Sequence, residues 1–480
     1  MVVRIVSVFG LLAGAAFAAF LTGCPGSVPG VATCGLGSCS GCCTALGACV
    51  PLERLSPLTC GSGGEVCQPC QAGTSCKAGA CLAEQPCEQT CASGCCDTSG
   101  TCLDKSACQS SQCKAVAPVM VDDSGKWTGH TAALAVDAAG QAHIAYTRQA
   151  DDQSPDALYI ASGDGSGFKL GTIDAGPDVG TGVQITVDSK GALHLVYYDR
   201  EHFNLKYAWG APGTTFQTRT LDQTQFSGLF SAIAVDKNDV VHVAYNDSSG
   251  NKQKLRYAWG NATAFTFHTI EADGGGGQPS IAVASDGKVH ISYTRTLDWP
   301  EEQPNPNEQV RYAVGSGATF THQAIDTSNS SGYSALALDS QGKPHIIFYR
   351  EQAVPSDRRC RTNGNATGCL NASILPKGLF YAAVDGVNVT LDVVDDEGFV
   401  GGSPNLVVGE GDTLFMTYDH YELRQTRFAS GVTPPFDKVV VSAQGQRVFR
   451  NALARGPKGG LHIVYYDLDK DALFYTVRCP

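Results

Sequence analysis

The sequence has few charged side chains, and cations are the scarcer kind. Only 17% of the 480 residues are charged, with 34 Lys and Arg against 46 Asp and Glu. A surface that binds nucleic acid must neutralise phosphates with clustered Lys and Arg, and no such stripe is present. We therefore expect no nucleic-acid partner. The low charge, together with 55 Gly, favours short strands and tight turns over long solvated helices.

The first residues form an export signal. Arg4 precedes a largely apolar run from Ile5 to Phe20, which is shorter than the roughly 20 residues of a membrane-spanning helix. The next four residues, Leu21 to Cys24, resemble the bacterial lipobox, in which the cysteine receives a diacylglyceryl group. The resemblance implies that residues 1–23 are a lipoprotein signal peptide and that Cys24 is lipidated. A plain secretory signal is the alternative.

The residue after Cys24 is Pro25 rather than Asp. By resemblance to the sorting of Gram-negative lipoproteins, this implies the outer membrane as the destination. Several acyl chains anchor a protein stably without a transmembrane helix. We expect a cell-envelope protein that contacts the outer membrane through its lipid and is either periplasmic or surface-exposed.

Histidine is missing between Cys24 and Cys113, whereas 18 of the 21 cysteines lie there. Such a density indicates disulfides in an exported chain. Zinc is the alternative, because Cys67 and Cys70 have ligand spacing, but no second pair follows at ribbon distance.

Two segments of this region share a cysteine frame, GCCTALGAC at residues 41–49 and GCCDTSGTC at residues 94–102. Large apolar residues are almost absent, so the region must rely on cross-links instead of a core. Similar modules occur in secreted proteins of gliding and predatory deltaproteobacteria. We predict that residues 24–112 form a disulfide-stapled stalk, with knottin-like binding modules as the alternative. The sequence leaves the disulfide connectivity open.

The remaining sequence is an internal repeat. The position of His143 recurs at spacings of 51, 48, 48, 55, 70 and 47 residues, at His194, His242, His290, His345, Phe415 and His462. In most units an Asp such as Asp137 opens a type I turn six residues earlier, and a Gly such as Gly140 closes it. Four short strands per unit of about 50 residues predict an all-β fold, a seven-bladed β-propeller.

The ends of the chain indicate how the ring closes. The last unit stops at Cys479-Pro480 after its third strand, and Val116–Asp122 ends like a fourth strand. We predict that this N-terminal strand completes the seventh blade, which removes open sheet edges. A Cys113–Cys479 disulfide would then lock the ring, and Cys360 would pair with Cys369 inside an insertion.

The predicted domain, residues 113–480, resembles the sialidase-like and related seven-bladed propellers of bacteria. The resemblance implies the fold and leaves the activity open, because propellers host lectins, lyases, hydrolases and scaffolds.

One rim of the ring is predicted to carry the ligand site. The connection between the second and third strands expands in blade 4 (Thr296–Glu308) and blade 5 (Gln352–Lys377), and both expansions share this rim. Polar residues after the second strands and aromatic residues from the blade connections reach it, and together they suit a sugar or a peptide. The candidates are Trp127, Arg148, Asp199, Asp247, Arg295, Trp299, Arg350, Asp419, His420 and Asp467. The alternative is a polar rim of solvated loop ends.

The repeated histidines favour a structural role, because catalysis spread over six blades makes no chemical sense, whereas a buried hydrogen bond repeats naturally. Asp467, Asp469 and Asp471 look like the start of a calcium loop, but Ala472 stands where such a loop needs Gly. We expect no metal and no cofactor, with calcium as the open alternative.

The leading functional hypothesis is a lipid-anchored binding or adhesion protein that recognises a glycan, an envelope polymer or a partner protein. A sialidase is disfavoured because its Asp-boxes are missing. A lyase that uses one Tyr, one His and one Arg stays open, with His202, His420, Arg148 and Arg295 as candidates. An envelope scaffold is the third hypothesis.

Overall fold

The computed structural model describes residues 39–44, 49–50, 52, 55, 60–70, 74–77, 80–83, 94–96, 102–104, 113–151, 156–297, 307–328, 331–353, 374–441 and 448–480. The predictions for Cys24, Trp299, Cys360 and Cys369 lie outside these residues. Within them, no helix is long and apolar enough to cross a membrane. The described chain is all-β apart from a 3-10 turn at Glu410–Asp412.

Seven four-stranded antiparallel sheets form the predicted propeller, which confirms the fold class. Blades 1 to 3 consist of Ala132–Val136, Ala142–Arg148, Ala157–Gly163 and Phe168–Asp174; Val179–Val187, Leu193–Asp199, Asn204–Gly210 and Gln217–Asp222; Ser227–Val235, Val241–Asp247, Lys254–Gly260 and Phe265–Glu271. Blades 4 to 6 consist of Gly277–Val283, Val289–Leu297, Asn307–Ser316 and Thr319–Asp326; Ser331–Leu338, Pro344–Ala353, Ile374–Asp385 and Asn388–Asp395; Val400–Val408, Leu414–His420, Gln425–Gly431 and Asp437–Val440.

The seventh blade joins the two ends of the chain. It contains Val448–Arg455, Leu461–Asp467 and Ala472–Arg478, with Val116–Asp122 as its outer strand. That outer strand pairs antiparallel to the third one, with Val119 opposite Tyr475. A disulfide joins Cys113 to Cys479, with their Cα atoms 5.7 Å apart, and this is the predicted pair. The ring is therefore closed by hydrogen bonds and by a covalent bond.

The propeller has two faces. The first and second strands are joined on one of them, here called the turn face. The second strands end on the other, here called the rim, where the outer strands also end. The outer strand of blade 7 runs towards the rim, so Cys113 lies at the turn face, with its Sγ beside Gly460 in a first-to-second-strand turn. The stalk thus joins the propeller on the face opposite the rim.

The repeated histidines are buried hydrogen-bonding groups near the turn face. His194 lies between the carboxylate of Asp188, which opens the turn, and the hydroxyl of Tyr207 on the third strand, at 3.4 and 2.6 Å. The imidazole–tyrosine contact recurs at His242, His290, His345 and His462, and His143 uses Ser162 instead. Burial lowers the pKa of several of these rings, to about 4 at His462. His143, His194, His242 and His345 therefore connect the aspartate of a turn to their own sheet, whereas blades 4 and 7 have Ala284 and Gly456 in place of that aspartate.

Blade 6 replaces both partners of this hydrogen bond with apolar rings. Phe415 occupies the histidine position and stacks on Phe428 with ring centroids 6.1 Å apart. Replacing donor and acceptor together leaves no buried polar atom without a partner, so the exchange costs little stability.

A second set of side chains joins neighbouring blades beneath the rim. The outer strand of each of several blades ends in an acid that accepts a hydrogen bond from a buried tyrosine of the next blade. Tyr197 donates to Asp174 at 2.7 Å, and Tyr146 donates to Asp122 at 2.7 Å across the closure. The pairs recur at Tyr245–Asp222, Tyr293–Glu271 and Tyr418–Asp395. The third strand often adds a cation, as Lys206 does for Asp174.

The core lies between adjacent blades. Leu158 of blade 1 and Leu193 of blade 2 are fully buried in one cluster. Close approach of the blades depends on glycine where the first strands begin: Gly228 has φ +88°, and a Cβ there would lie 2.5 Å from Leu205 of the preceding blade. Any other residue at this position would collide with the Leu205 side chain and would have to hold a strained positive φ.

The described part of the stalk consists of short hairpins and disulfides. Cys42–Cys43 pairs with Cys49–Val50, and Gly94–Cys96 pairs with Cys102–Asp104. The two cysteine frames therefore form the same kind of antiparallel hairpin. A third hairpin joins Thr74–Lys77 to Ala80–Ala83. Disulfides connect Cys39–Cys49, Cys42–Cys67, Cys60–Cys76 and Cys70–Cys81. Cys67 and Cys70, which have the spacing of zinc ligands, are thus each bonded to another cysteine.

Candidate functional site

Two of the predicted rim arginines belong to the contacts between blades. Arg148 lies 2.9 Å from Asp122, and Arg350 lies 2.8 Å from Asp326. Several other blades carry a Lys or Arg on the third strand at this point, but blades 1 and 5 have an aromatic residue there, Tyr159 and Phe380. The arginine lies over that ring, and in blade 1 it is 3.9 Å from the Tyr159 ring centroid. The cation has therefore moved from the third strand to the end of the second strand.

Arg295 of blade 4 has a similar environment. Its guanidinium lies 3.3 Å from Glu271 and 2.9 Å from Asp273, and Arg311 shares Glu271 at 3.1 Å. The acids at the end of blade 3 thus hold two arginines of blade 4.

Three predicted aspartates stabilise the turns that follow their strands. Asp199 accepts main-chain N–H groups of Glu201 and His202, and Asp467 accepts those of Asp469 and Lys470. Asp247 accepts from the main chain and hydroxyl of Ser249 and also lies near Lys254 and Arg256. Such local side-chain-to-backbone bonds are what Asp offers a tight turn. A role of these residues in ligand binding stays a prediction.

His420 and His202, two of the lyase candidates, have partners within their own blades. His420 is buried; its Nδ1 accepts the N–H of Leu423 at 3.2 Å, and its ring also bonds the main chain at Glu397. Burial and the nearby Arg427 lower its pKa to about 4. His202 is exposed and lies 3.0 Å from Asp199. The four lyase candidates come from blades 1, 2, 4 and 6, and no contact between them is observed among the described residues.

The mouth of the central channel is formed where the first strands begin at the rim. A bulge interrupts the pairing of these strands with their neighbours, for example between Val179 and Gln184. The bulge positions correspond in blades 2 to 7, and together with Thr131 at the same position in blade 1 they hold a different residue in each blade: Gly182, Phe230, Gln278, Tyr333, Ser403 and Arg450. Phe230 of blade 3 contacts Tyr333 of blade 5 edge-on, at 6.4 Å between ring centroids, which places both rings towards the ring axis.

Five residues meet at this mouth where blade 7 adjoins blade 1, and we name them the mouth cluster: Trp127, His130, Arg450, Tyr466 and Asp471. The His130 ring packs edge-on against Trp127 and Tyr466, at 5.4 and 5.9 Å between centroids. Tyr466 donates its hydroxyl to Asp471 at 2.7 Å, and Arg450 donates Nη1 to the carbonyl of His130 at 3.2 Å. The Trp127 side chain is 47% exposed. The cluster thus presents an aromatic face beside hydrogen-bonding groups.

Three residues of the mouth cluster have a left-handed backbone conformation. Trp127 and Arg450 both have φ +53°, and Asp471 has φ +52°. Non-glycine residues adopt this conformation rarely, at a cost of about 1–2 kcal/mol each. It recurs at the turn position of Asp471 in Phe203 and Arg424, and at the bulge position of Arg450 in Gln278 and Ser403, so it is a feature of the repeat.

Asp419, a rim residue predicted from the sequence, holds the mouth cluster from below. It is fully buried, and its Oδ2 accepts the main-chain N–H of Arg450 at 2.9 Å. Its Oδ1 accepts from Asn451 and Thr426 at 2.9 and 3.0 Å. The carboxylate therefore fixes the strained backbone from which the Arg450 side chain projects. Burial raises the pKa of Asp419 to about 6, against the effect of these hydrogen bonds.

Burial also sets the protonation of the mouth cluster. It lowers the pKa of His130 to about 4, with a further contribution from Arg450, so this ring is neutral at pH 7. Burial and the hydrogen bond to Asp471 raise the pKa of Tyr466 above its usual range. At neutral pH the cluster therefore offers a tyrosine that keeps its proton, a neutral histidine and a cationic arginine.

Sequence reasoning found Trp127 and Asp419 but missed His130, Arg450 and Tyr466 as site residues, and it considered Asp471 only as a calcium ligand. These residues come from one connection between blades, one loop within blade 7 and two strands of blade 7. Only the closure of the ring brings residues near 130 next to residues near 450 and 466. Arg450 occupies a bulge position that holds a different residue in every blade, so departure from the repeat does not single it out.

Comparison with known proteins identifies the fold only. No protein-family model and no curated protein matches the chain. An ulvan lyase from a new polysaccharide-lyase family, bound to -[GlcA(1-4)Rha3S]-, is similar in structure with a TM-score of 0.51 and 12% identity, over 75% of this chain and 95% of that chain. A protein of unknown function from Dyadobacter fermentans gives 0.44 and 10%, over 76% and 98% of the two chains. The Penicillium chrysogenum α-L-arabinanase gives 0.43 and 10%, over 62% and 92%.

Proposed function

We propose that this protein is a lipid-anchored binding protein of the cell envelope that recognises a glycan at the mouth cluster. The exposed Trp127 ring beside His130, Arg450 and Tyr466 carries the proposal. Aromatic rings stack on the apolar faces of sugars, while a few fixed polar groups select orientation and identity. Tyr466, with its hydroxyl held by Asp471, and the guanidinium of Arg450 supply such groups.

The other predicted rim residues support this location by their own contacts. Arg148, Arg295 and Arg350 neutralise acids between blades, and Asp199 and Asp467 hold turns. Their hydrogen-bonding capacity is largely used within the protein. A propeller of similar fold, the ulvan lyase, is bound to a saccharide in its solved structure, so the fold is compatible with a glycan site.

The proposed location rests on the N-terminal sequence and on the stalk. A lipid on Cys24 would hold the protein at the outer membrane, on its periplasmic or its outer surface. The four disulfides described in the stalk suit an oxidising compartment. Cys113, where the propeller begins, lies at the turn face, so the chain enters the propeller on the face opposite the rim.

A glycan array probed with the full-length protein in detergent tests the proposal. We expect binding to at least one polysaccharide, and a loss of about tenfold or more in affinity for Trp127→Ala and for Arg450→Gln. Leu170→Ala is the matched control, because Leu170 is equally exposed but lies on the outer strand of blade 1. Loss of binding in the control, or unchanged binding in both cluster variants, would refute the assignment.

A lyase is the second candidate, because Tyr466, His130 and Arg450 are the three residue types that such an enzyme would use. The raised pKa of Tyr466 keeps its hydroxyl protonated at neutral pH, so almost no phenolate is available to abstract a proton, which favours binding over catalysis. Release of unsaturated oligosaccharides from a bound polysaccharide, measured by absorbance, would establish the enzyme instead.

A stable protein partner recovered from envelope extracts, without glycan binding, would favour the scaffold hypothesis.

A further inference from the structure

The rim carries a second set of exposed apolar side chains, outside the mouth cluster. We name it the aromatic track: Phe203, Phe226, Leu229, Phe230 and Tyr333. Phe203, Phe226, Leu229 and Tyr333 are 42%, 48%, 37% and 39% exposed. Scattered single residues of this kind are normal on a surface, but a contiguous set commonly marks a binding site.

Two ring contacts and one short segment connect the members of the track. The rings of Phe203 in blade 2 and Phe226 at the start of blade 3 lie 5.1 Å apart. Phe226, Leu229 and Phe230 belong to one short segment, and Phe230 contacts Tyr333 at the mouth. The track therefore extends from an outer turn of blade 2 to the channel mouth at blade 5.

The two outermost rings stand on strained backbone. Phe203 has φ +57° and Phe226 has φ +64°, a conformation that Gly, Asn and Asp adopt at lower cost. The turn position of Phe203 holds Arg424 in blade 6 and Asp471 in blade 7, and the position of Phe226 holds Asp178 in blade 2 and Gly274 in blade 4. The fold therefore accepts polar residues at the position of Phe203, and Asp or Gly at the position of Phe226. The two phenylalanines cost backbone energy and expose apolar area, and neither ring fills the core.

The track and the mouth cluster open onto the same mouth. Phe230 and Tyr333 occupy the bulge position that Arg450 occupies in blade 7. One ligand can therefore touch both sets only if it is long, because the track reaches outwards over blades 2 and 3 while the mouth cluster lies at blades 7 and 1. The track itself contains no charged side chain, so the part of the ligand that lies on it is recognised by stacking.

We infer that the ligand is a linear polysaccharide, which is held at one end by the mouth cluster and stacks successive sugar rings along the aromatic track. This inference rests on the proposed glycan function. It adds that the ligand is a long chain and that the chain runs from the mouth cluster along the aromatic track. Short oligosaccharides occupy the mouth cluster alone, and longer ones gain contacts with Phe230, Leu229 and the Phe203–Phe226 pair.

The test measures affinity against chain length. The full-length protein in detergent is titrated with oligosaccharides from disaccharide to decasaccharide, prepared from arabinan, xylan, cellulose, chitin, alginate and pectin. We expect the affinity for the bound series to rise by about tenfold or more from the shortest to the longest members. Phe203→Asn and Phe226→Asn should remove most of that gain and leave disaccharide binding unchanged.

The substitutions are chosen to preserve the fold. Asn tolerates the left-handed conformation, so both variants should be at least as stable as the parent protein in thermal unfolding. Arg424→Asn is the matched control, because Arg424 has the same turn position in blade 6, with φ +54°, and should keep the full length dependence.

The outcomes separate the two proposals. Equal affinity for short and long chains would overturn the inference and leave the glycan function standing. The inference would also fail if the Phe variants weakened disaccharide and decasaccharide binding alike, or if they abolished capture of an envelope protein while glycan binding was unchanged. Absence of binding to every series would overturn both proposals.

Discussion

The carboxylate of Asp239 in blade 3 accepts two hydrogen bonds from Ser189 in blade 2, one from the main-chain N–H and one from the hydroxyl, both at 2.9 Å. Asp412 of blade 6 holds Ser340 of blade 5 in the same way, at 2.8 and 2.9 Å. Both aspartates stand at the turn position where most blades have glycine, and both adopt its left-handed conformation, with φ +60° and +58°. The strained aspartate thus clamps neighbouring blades on the turn face.

This clamp predicts the effects of replacing Asp239. Asp239→Gly should lower the thermal unfolding midpoint, because the lost clamp outweighs the relief of strain, and Asp239→Asn should be intermediate because Asn keeps the conformation and one acceptor oxygen. The pKa of Asp239 is lowered to about 2, first by the N–H of Ser189. Because folding lowers this pKa, the ionised carboxylate stabilises the fold at pH values above the pKa of the unfolded chain. That stabilisation is lost as the pH falls through about 2. The difference between parent and Asp239→Gly should therefore shrink in strong acid.

In blade 1 the cation beside the interblade acid lies on the second strand instead of the third, and this difference predicts that a second substitution can rescue stability. Arg148→Ala leaves Asp122 buried without its arginine and should cost about 2 kcal/mol in chemical denaturation. Adding Tyr159→Arg to that variant restores the cation on the third strand, where blades 2 to 4 carry Lys206, Arg256 and Arg311, and should recover much of the loss. Tyr159→Arg alone is the control. If Arg148→Ala left stability unchanged but abolished glycan binding, the ligand role predicted from the sequence would replace the structural one.

Removing the covalent closure should destabilise the propeller without preventing it from forming. The paired variant Cys113→Ser with Cys479→Ser opens a loop of 366 residues, and loops of that size are worth about 2–5 kcal/mol in stability. The measurement compares denaturant midpoints of parent and variant under oxidising conditions, so that the stalk disulfides stay intact in both. Equal midpoints would show that the paired strands of blade 7 suffice.

The buried titratable groups predict loss of stability in mild acid. Burial lowers the pKa values of His130, His420 and His462 to about 4, so the unfolded chain takes up these protons first as pH falls below about 6.5. The unfolding midpoint should therefore fall between pH 6.5 and pH 4.

Asp419 acts in the opposite direction. Its raised pKa of about 6 means that the folded state takes up this proton first, which favours folding as pH falls from 6 towards 4. Asp419→Asn should therefore show a steeper loss of stability over that range than the parent protein. If the unfolding midpoints of the two proteins fell in parallel with pH, the raised pKa of Asp419 would be contradicted.

The propeller was predictable because its units repeat in the sequence. His143 and His194 mark the second strands of blades 1 and 2, and an aspartate opens the turn before each of them. The closing strand was predictable too, since Val116–Asp122 ends in an aliphatic residue followed by Asp, as Phe168–Asp174 and Gln217–Asp222 do. Such local patterns survive in a sequence because each blade solves the same packing problem.

The site was less predictable because the environment of its residues depends on contacts with neighbouring strands and blades. Arg148 looks like a free rim cation until Tyr159 is seen to displace the usual cation of blade 1. Asp419 looks exposed at a strand end, yet it lies buried beneath Arg450. Whether a polar residue faces solvent or a neighbouring blade depends on contacts between positions far apart in the chain, which periodicity does not encode.

The position of the Cys113–Cys479 disulfide also has a mechanical consequence. If Cys24 carries the proposed lipid and the rim holds the proposed ligand, a pull between the two would reach the propeller through residue 113. Without the bridge, that tension would act on the outer strand of blade 7, whose hydrogen bonds alone would resist its sliding out of the sheet. The disulfide passes the load directly to the third strand at Cys479, so a tethered propeller can bear traction without opening its ring.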